Sequence, residues 1–349
     1  MDQTPSVKTS SDADPTVEKI NPHGDIIFVT NNGRRFLTHS AFLRNASPVW
    51  DAMLSGRFAE GQDLSSERPK EISADDDNPD ALLDLLRLVH VRYDDLPAKM
   101  TVEKLYDIAV LADKYACVGA LRLPVDTWFM ALRKDTNSFT ELGYLAAASA
   151  ALNQHASFEE FTRKLAFEHS QPMSELFKTE NTMLPPSVLC KNNHGLLSDH
   201  HPKYTDTSPV LMEEQRKRAR VIVGQIATEL SKGLLVVPAE RGCSSLSSEV
   251  DKGVRTVIKV MPSLVDRPLA TCFSDCQAAA TALTHSKSHG ELEYCDACCR
   301  RHPAGSDLKQ LGRNTLARFQ QGESVLRGLC LTCIRAGSAT AAICKEHKA

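Results

Sequence analysis

The chain lacks the features that mark membrane, secreted or catalytic proteins. None of its apolar runs approaches the roughly 20 residues that span a bilayer. Its polar and acidic start, MDQTPSVKTSSDADP, has no apolar segment of the kind found in secretory signals. The motifs H-E-x-x-H, G-x-S-x-G, Walker A and G-x-G-x-x-G are all missing, so no catalytic residues can be named. We therefore expect an intracellular protein, in the cytoplasm or nucleus, that has no membrane partner and is not an enzyme.

The chain also lacks an excess of basic residues. Its 41 Lys and Arg against 44 Asp and Glu give a net charge of −3, which argues against nucleic acid as a partner. The hydrophobic share of 42% and the charged share of 24% are ordinary for a soluble globular protein. A length of 349 residues leaves room for two or three domains.

Residues 24–60 change from strand-like to helical patterning at His39. The apolar run 25–29 is rich in β-branched and aromatic residues and predicts a buried strand. Asn32-Gly33 suits a tight hairpin turn, and residues 34–38 predict the returning strand. Ser47-Pro48 then predicts a helix with serine as its cap, which gives an α+β fold with a small sheet. We expect one face of that helix to carry Val49, Trp50, Met53 and Leu54.

The order of these elements and the residues within them resemble the BTB/POZ domain, including its fungal type. The resemblance covers residues 22–123 and rests on Asp25, Phe36-x-x-His39, Phe42-Leu43, Ser47-Pro48-Val49, Met53-Leu54, Phe58-x-Glu60 and the acidic loop Asp75-Asp76-Asp77. Trp50 departs from the phenylalanine that the family usually carries, but it is still apolar and aromatic. The resemblance implies a small sheet clustered with helices and a protein-interaction module that is often a homodimer.

Phe58 and Glu60 form a pattern that the resemblance connects with one class of partner. Some adaptors of the family use a hydrophobic-x-Glu sequence against a cullin, so the chain is a candidate substrate adaptor for a cullin-type ubiquitin ligase. The alternative is that Phe58 packs under its own loop. No kelch, MATH or ankyrin substrate domain follows in the sequence.

The remaining sequence divides by composition and periodicity. We expect a disordered tail over residues 1–20, the BTB/POZ-like domain over 21–123, a helical extension over 124–235 with a loop insertion near 180–208, and a linker over 236–270. Residues 79–91 and the segment capped by Thr101 predict amphipathic helices. The Asp75–77 loop and the charged run 213–218 are both interpreted as solvated rather than as binding sites.

Eight of the eleven cysteines lie between Cys272 and Cys344, within a Cys-rich unit over residues 271–349. Seven of them, together with His347, form four close pairs, and two residues between ligands let a tight turn direct both side chains at one tetrahedral ion. The spacing predicts structural zinc in two four-ligand sites. Grouped in sequence order, the sets are Cys330, Cys333, Cys344 and His347, and Cys272, Cys276, Cys295 and Cys298. An interleaved grouping and a set of idle, buried thiols are the alternatives.

The alternative function is a zinc-binding transcriptional regulator that contacts DNA, because some BTB proteins end in zinc fingers. Cys272-x3-Cys276-x8-His285-x3-His289 superficially resembles a C2H2 finger. Its middle spacing of eight residues is shorter than the roughly twelve that such fingers use. We therefore favour protein partners, through homo- or hetero-oligomerisation or as a scaffold.

Overall fold

A computed structural model of the chain describes residues 17–97, 99–135, 138–177, 207–235, 267–285, 294–295, 300–301, 305–322 and 331–332. It contains two compact units. The first comprises Met1–Asp135 with Ala151–Asn153, and the second comprises Thr136–Ala150 with Gln154–Ala349. The described residues have a mixed α+β fold, with one four-stranded sheet and mostly helices, which agrees with the predicted fold class.

The sheet of the first unit has the strand order β1-β3-β2-β4. Its strands are β1 (Val17–Lys19), β2 (Ile26–Val29), β3 (Arg35–Thr38) and β4 (Lys70–Ser73). Strands β2 and β3 form the predicted antiparallel hairpin, and Gly33 in its turn has a φ of +78°, a conformation that glycine adopts without steric cost. The other two pairings, β1 with β3 and β2 with β4, are parallel. The central strands are therefore the two that the sequence predicts.

Five helices accompany this sheet, and most begin at a polar cap. They are α1 (Ser40–Ala46), α2 (Pro48–Met53), α3 (Pro79–Val89), α4 (Val102–Lys114) and α5 (Arg122–Asp135). The Ser47 hydroxyl accepts the N–H of Trp50 at 3.0 Å, and Thr101 accepts the N–H of Lys104 at 3.3 Å, so both predicted caps are confirmed. Asn78 caps α3 in the same way.

Trp50 lies at the centre of the core of this unit. It is completely buried and stacks on Tyr115, with 4.6 Å between the ring centroids. Leu54 is buried as predicted, whereas Met53 is only half-buried and Val49 is exposed. The prediction of one apolar helix face is therefore wrong for Val49. At about 100° of turn per residue, these four positions spread over about 140° of the helix surface, and Val49 lies at one edge of that arc.

The folded unit starts earlier and ends later than the sequence predicts. Strand β1 lies within the expected disordered tail, and the backbone N–H of Ile20 donates to Leu37 O at 3.0 Å. Glu18 pairs with Arg34 at 3.4 Å and Arg87 at 2.8 Å, so distant residues order this short strand. At the other end, α5 runs through the expected boundary at residue 123, and the unit extends to Asp135.

The described part of the second unit is mainly helical. Its helices are α6 (Phe139–Ala151), α7 (His155–Phe167), α8 (Thr207–Leu235), α9 (Leu269–Thr284) and α10 (Gly305–Gly322). Helix α8 packs against α7, α9 and α10. Helices α9 and α10 pack so closely that a Cβ atom on Gly312 would lie only 2.7 Å from Ala280 O. Two short strands, β5 (Tyr294–Cys295) and β6 (Arg300–Arg301), pair antiparallel.

Candidate functional site

Phe58 follows helix α2 and is exposed, with 54% of its surface accessible. It immediately precedes a one-turn 3-10 helix, Ala59–Gly61, in which the N–H of Gly61 donates to Phe58 O at 3.1 Å. Gly61 packs tightly inside the loop, because a Cβ atom there would lie 2.6 Å from the backbone N of Gly56. The alternative that Phe58 packs under its own loop is therefore wrong.

Lys70 connects this loop to the sheet. Its ammonium group donates to Ala59 O and, at 3.1 Å, to Gln62 O, while its backbone belongs to β4. Glu60 lies within the same 3-10 turn and is half-buried. The structure thus places Phe58 and Glu60 on one short turn that backbone packing and a lysine side chain hold in place.

Two residues of the sequence motif, Asp25 and His39, fix the start of α1. The Asp25 carboxylate accepts the N–H of Ser40 at 2.7 Å and its hydroxyl at 2.6 Å. His39 Nδ1 accepts the N–H of Ala41 at 3.2 Å. The backbone N–H of His39 in turn donates to Nε2 of His90, at 3.0 Å. These contacts explain why a carboxylate and a histidine at these positions suit the fold.

The acidic loop before α3 is not fully solvated, because Asp77 is buried. Its carboxylate accepts from the Lys114 ammonium at 2.6 Å and from the Tyr115 hydroxyl. Burial raises the pKa of Tyr115, and the adjacent Asp77 raises it further. The Ser47 hydroxyl donates to Tyr115 O, so this network joins the acidic loop, α2 and the end of α4. The prediction that this loop is solvated is therefore wrong for Asp77, because Lys114 neutralises the charge of its carboxylate and Tyr115 donates a hydrogen bond to it.

The structure describes only part of the predicted metal ligands. Cys272 and Cys276 are both buried on α9, and burial raises the pKa of each thiol, to about 12 for Cys276. Cys295 is the last residue of β5, and only its backbone is described. The other five predicted ligands lie outside the described residues: Cys298, Cys330, Cys333, Cys344 and His347. Within the described ranges, no three His, Cys, Asp or Glu side chains form a cluster able to hold a metal ion.

The C2H2-like alternative conflicts with helix α9. Cys272 lies within α9, and His285 directly follows it as the C-terminal cap. At 1.5 Å of rise per residue, the 13 steps between them span about 20 Å. Zinc ligands lie about 2.0–2.3 Å from the ion, so these two side chains cannot share one ion while α9 is intact.

Arg216 is a buried residue that the sequence analysis missed. Only 1% of it is exposed, and its guanidinium donates to Leu165 O at 2.7 Å, Ala166 O at 2.9 Å and Gln171 O at 2.7 Å. Glu213 accepts a further bond from it, at 3.2 Å. Burial lowers the pKa of Arg216, while the charge of Glu213 opposes that effect. The prediction that the charged run 213–218 is solvated is therefore wrong for Arg216.

A sequence pattern for Arg216 exists, although it points to burial rather than to function. Its position fits the buried stripe of α8, which consists of Met212, Arg216, Ala219, Val223, Ile226 and Leu230. The spacing alternates between four and three residues, as for one face of a helix. An arginine at such a position indicates a bond to groups that the neighbouring element leaves unpaired.

Comparison with known proteins adds no assignment. No protein-family model matches the chain, and no curated protein matches it. Within the described ranges, none of the helices combines the length and the apolar character that a membrane crossing requires. Membership of the BTB/POZ family therefore stays a prediction from the sequence motifs.

Proposed function

We propose that this chain is a protein-interaction protein in which residues 17–135 form a BTB/POZ-like binding module. The observed order of a β-hairpin, two short helices, a further strand and longer helices is consistent with the resemblance in the sequence. Asp25, His39 and Ser47, three residues of that motif, act as helix caps. The module binds either a second copy of the chain or a protein of the cullin type.

The observation that carries this proposal is the exposure of Phe58 on a loop that is held in place. A large aromatic side chain leaves water when it enters a partner's pocket, and residues of this kind often dominate binding energy. Because Gly61 and Lys70 already fix the loop, binding costs little conformational entropy. Phe58 is therefore suited to be the apolar anchor of an interface.

Glu60 makes a cullin-type partner the more specific candidate. It lies two residues after Phe58, within the 3-10 turn that Phe58 begins, and its side chain is partly accessible. An apolar anchor beside a carboxylate suits a partner surface with an apolar pocket and a nearby basic or N–H donor group. This pair would serve a substrate adaptor of a cullin-type ubiquitin ligase.

The test is to measure binding of the purified chain to the N-terminal region of cullin proteins, and its self-association by light scattering. We expect Phe58→Ala to weaken binding by about 30-fold, the effect of losing about 2 kcal/mol at an interface hot spot. The melting temperature should change little, because Phe58 is exposed. Tyr93→Ala is the matched control, since Tyr93 is another exposed aromatic and is the first residue of a 3-10 turn.

The two alternatives in the proposal, cullin binding and self-association, are contradicted by different results. If the wild-type chain binds no cullin but self-associates through Phe58, the adaptor branch is wrong and oligomerisation stands. If Phe58→Ala and Tyr93→Ala have equal effects, Phe58 is not the anchor. A wild-type chain that binds neither a cullin nor a second copy contradicts the proposed function itself.

A further inference from the structure

His90 is a buried imidazole at the end of α3, and both of its nitrogens are bonded. It is only 6% exposed. Nδ1 lies 2.8 Å from Leu86 O, and Nε2 lies 3.0 Å from the backbone N of His39. Because a backbone N–H can only donate, Nε2 must accept, and Nδ1 must carry the proton that it donates to Leu86 O. This arrangement requires neutral His90.

The bond between His90 and His39 joins two helices. His90 caps the C-terminus of α3, and His39 caps the N-terminus of α1. The Phe42 ring of α1 stacks on the His90 imidazole, with 4.9 Å between centroids. Phe42 is 40% exposed, so this junction supports an apolar side chain at the surface of the unit.

The charged and titratable groups around His90 do not favour an added proton. His39 and Arg92 both oppose positive charge on the imidazole. Arg92 is paired with Asp95 at 2.7 Å. The Asp25 carboxylate, at the start of α1, already accepts the N–H and the hydroxyl of Ser40.

We propose that the contact between α1 and α3 is a pH-sensitive latch, in which uptake of one solvent proton by Nε2 of His90 breaks its bond to the His39 N–H. Protonated Nε2 would be a donor directed at another donor, so the junction must open and release Phe42. This device is separate from the Phe58 loop and goes beyond the proposed function. It makes the geometry of α1 depend on acidity.

The direction of the pH effect follows from linkage. Burial lowers the pKa of His90, so the unfolded chain takes up this proton at higher pH than the folded chain. As the pH decreases below the ordinary histidine pKa near 6.5, the free energy of unfolding therefore decreases, until the pH passes the lowered pKa of the folded chain. Above the ordinary histidine pKa, His90 contributes no pH dependence. One proton changes the folding equilibrium constant by at most about tenfold per pH unit.

The experiment is urea unfolding of the full chain between pH 5 and pH 7.5, followed by tryptophan fluorescence. Both tryptophans, Trp50 and Trp128, lie in the first unit, so their fluorescence reports on that unit. In His90→Gln a side-chain carbonyl can still accept the His39 N–H but does not titrate. We expect this variant to lose the acid-dependent fall of the wild type. The control His23→Gln, which removes an exposed histidine, should keep it.

A second measurement on the wild-type chain covers the case in which His90→Gln does not fold. In a proton NMR titration, we expect His90 to titrate below pH 6.5, together with shifts of the Phe42 ring and the His39 amide. The proposal is wrong if His90 titrates while Phe42 and the His39 amide do not move. It is equally wrong if wild type and His90→Gln show the same pH slope in urea.

Discussion

Replacing Arg216 with methionine should strongly destabilise the second unit. The guanidinium of Arg216 donates to Leu165 O, Ala166 O and Gln171 O, at 2.7, 2.9 and 2.7 Å. The first two carbonyls belong to the last turn of α7, where helix carbonyls have no intrahelical partner. Arg216 therefore completes the end of α7 from a different helix.

The size of the effect follows from what the substitution leaves behind. Methionine keeps most of the apolar stem of Arg216, so the loss reports on hydrogen bonds more than on a cavity. Three carbonyls lose a charged donor, and removing one partner of a buried charged network costs about 3–5 kcal/mol. Arg216→Lys should recover only part of this, because a single ammonium cannot reproduce the planar fork of the guanidinium.

Hydrogen exchange by mass spectrometry gives the local measurement. We expect peptides over α7 to lose protection by at least about 100-fold, the equivalent of roughly 3 kcal/mol. Tryptophan fluorescence should not detect the change, because Trp50 and Trp128 both lie in the first unit. Circular dichroism in urea should show a lower unfolding midpoint for the second unit.

Arg220→Met is the matched control for this prediction. Arg220 lies on the same helix and is 3.8 Å from Glu213, but its side chain is 25% exposed. A pair of this kind contributes about 0–1 kcal/mol. If Arg216→Met costs no more than Arg220→Met, the carbonyl contacts do not stabilise α7 and the reasoning is refuted.

Elements with local signals were predicted well from the sequence. Asn32-Gly33 between two apolar runs predicts the hairpin, and Ser47-Pro48 predicts the start of α2. The α3 prediction, residues 79–91, differs from the observed Pro79–Val89 only at its end. In each case the determining contacts lie within a few residues, so a short window of sequence contains the physical cause.

Features that depend on distant residues were not predicted. Strand β1 is held partly by Glu18 and Arg87, which are 69 residues apart. Asp77 is bonded by Lys114 across 37 residues, and Arg216 reaches Ala166 across 50. Composition treats such charged residues as solvated, because it contains no information about which donors and acceptors the fold brings together.

The candidate site lies between these two cases. The motif identifies Phe58 and Glu60 as residues of interest, but their exposure depends on packing that the motif does not specify. Gly61 fits against Gly56, and Lys70 of β4 bonds the loop carbonyls. A sequence window can name the anchor, whereas its presentation to a partner is a property of the folded loop.

Two further predictions concern the core and the metal. Trp50→Ala should cost about 3–5 kcal/mol in urea unfolding, because Trp50 is fully buried. Trp50→Phe should cost less, since it removes an indole N–H that is buried without a partner; equal losses would contradict this. Metal analysis of the purified chain should find about two zinc ions, because the eight predicted ligands form two sets of four. Four thiolate or imidazole ligands leave no position for water, so each site would be structural. Cys330→Ser and Cys276→Ser should each remove one ion, because each disrupts a different set. A zinc content that neither substitution changes would refute both sets, whereas one ion lost only in Cys330→Ser would restrict zinc to Cys330, Cys333, Cys344 and His347.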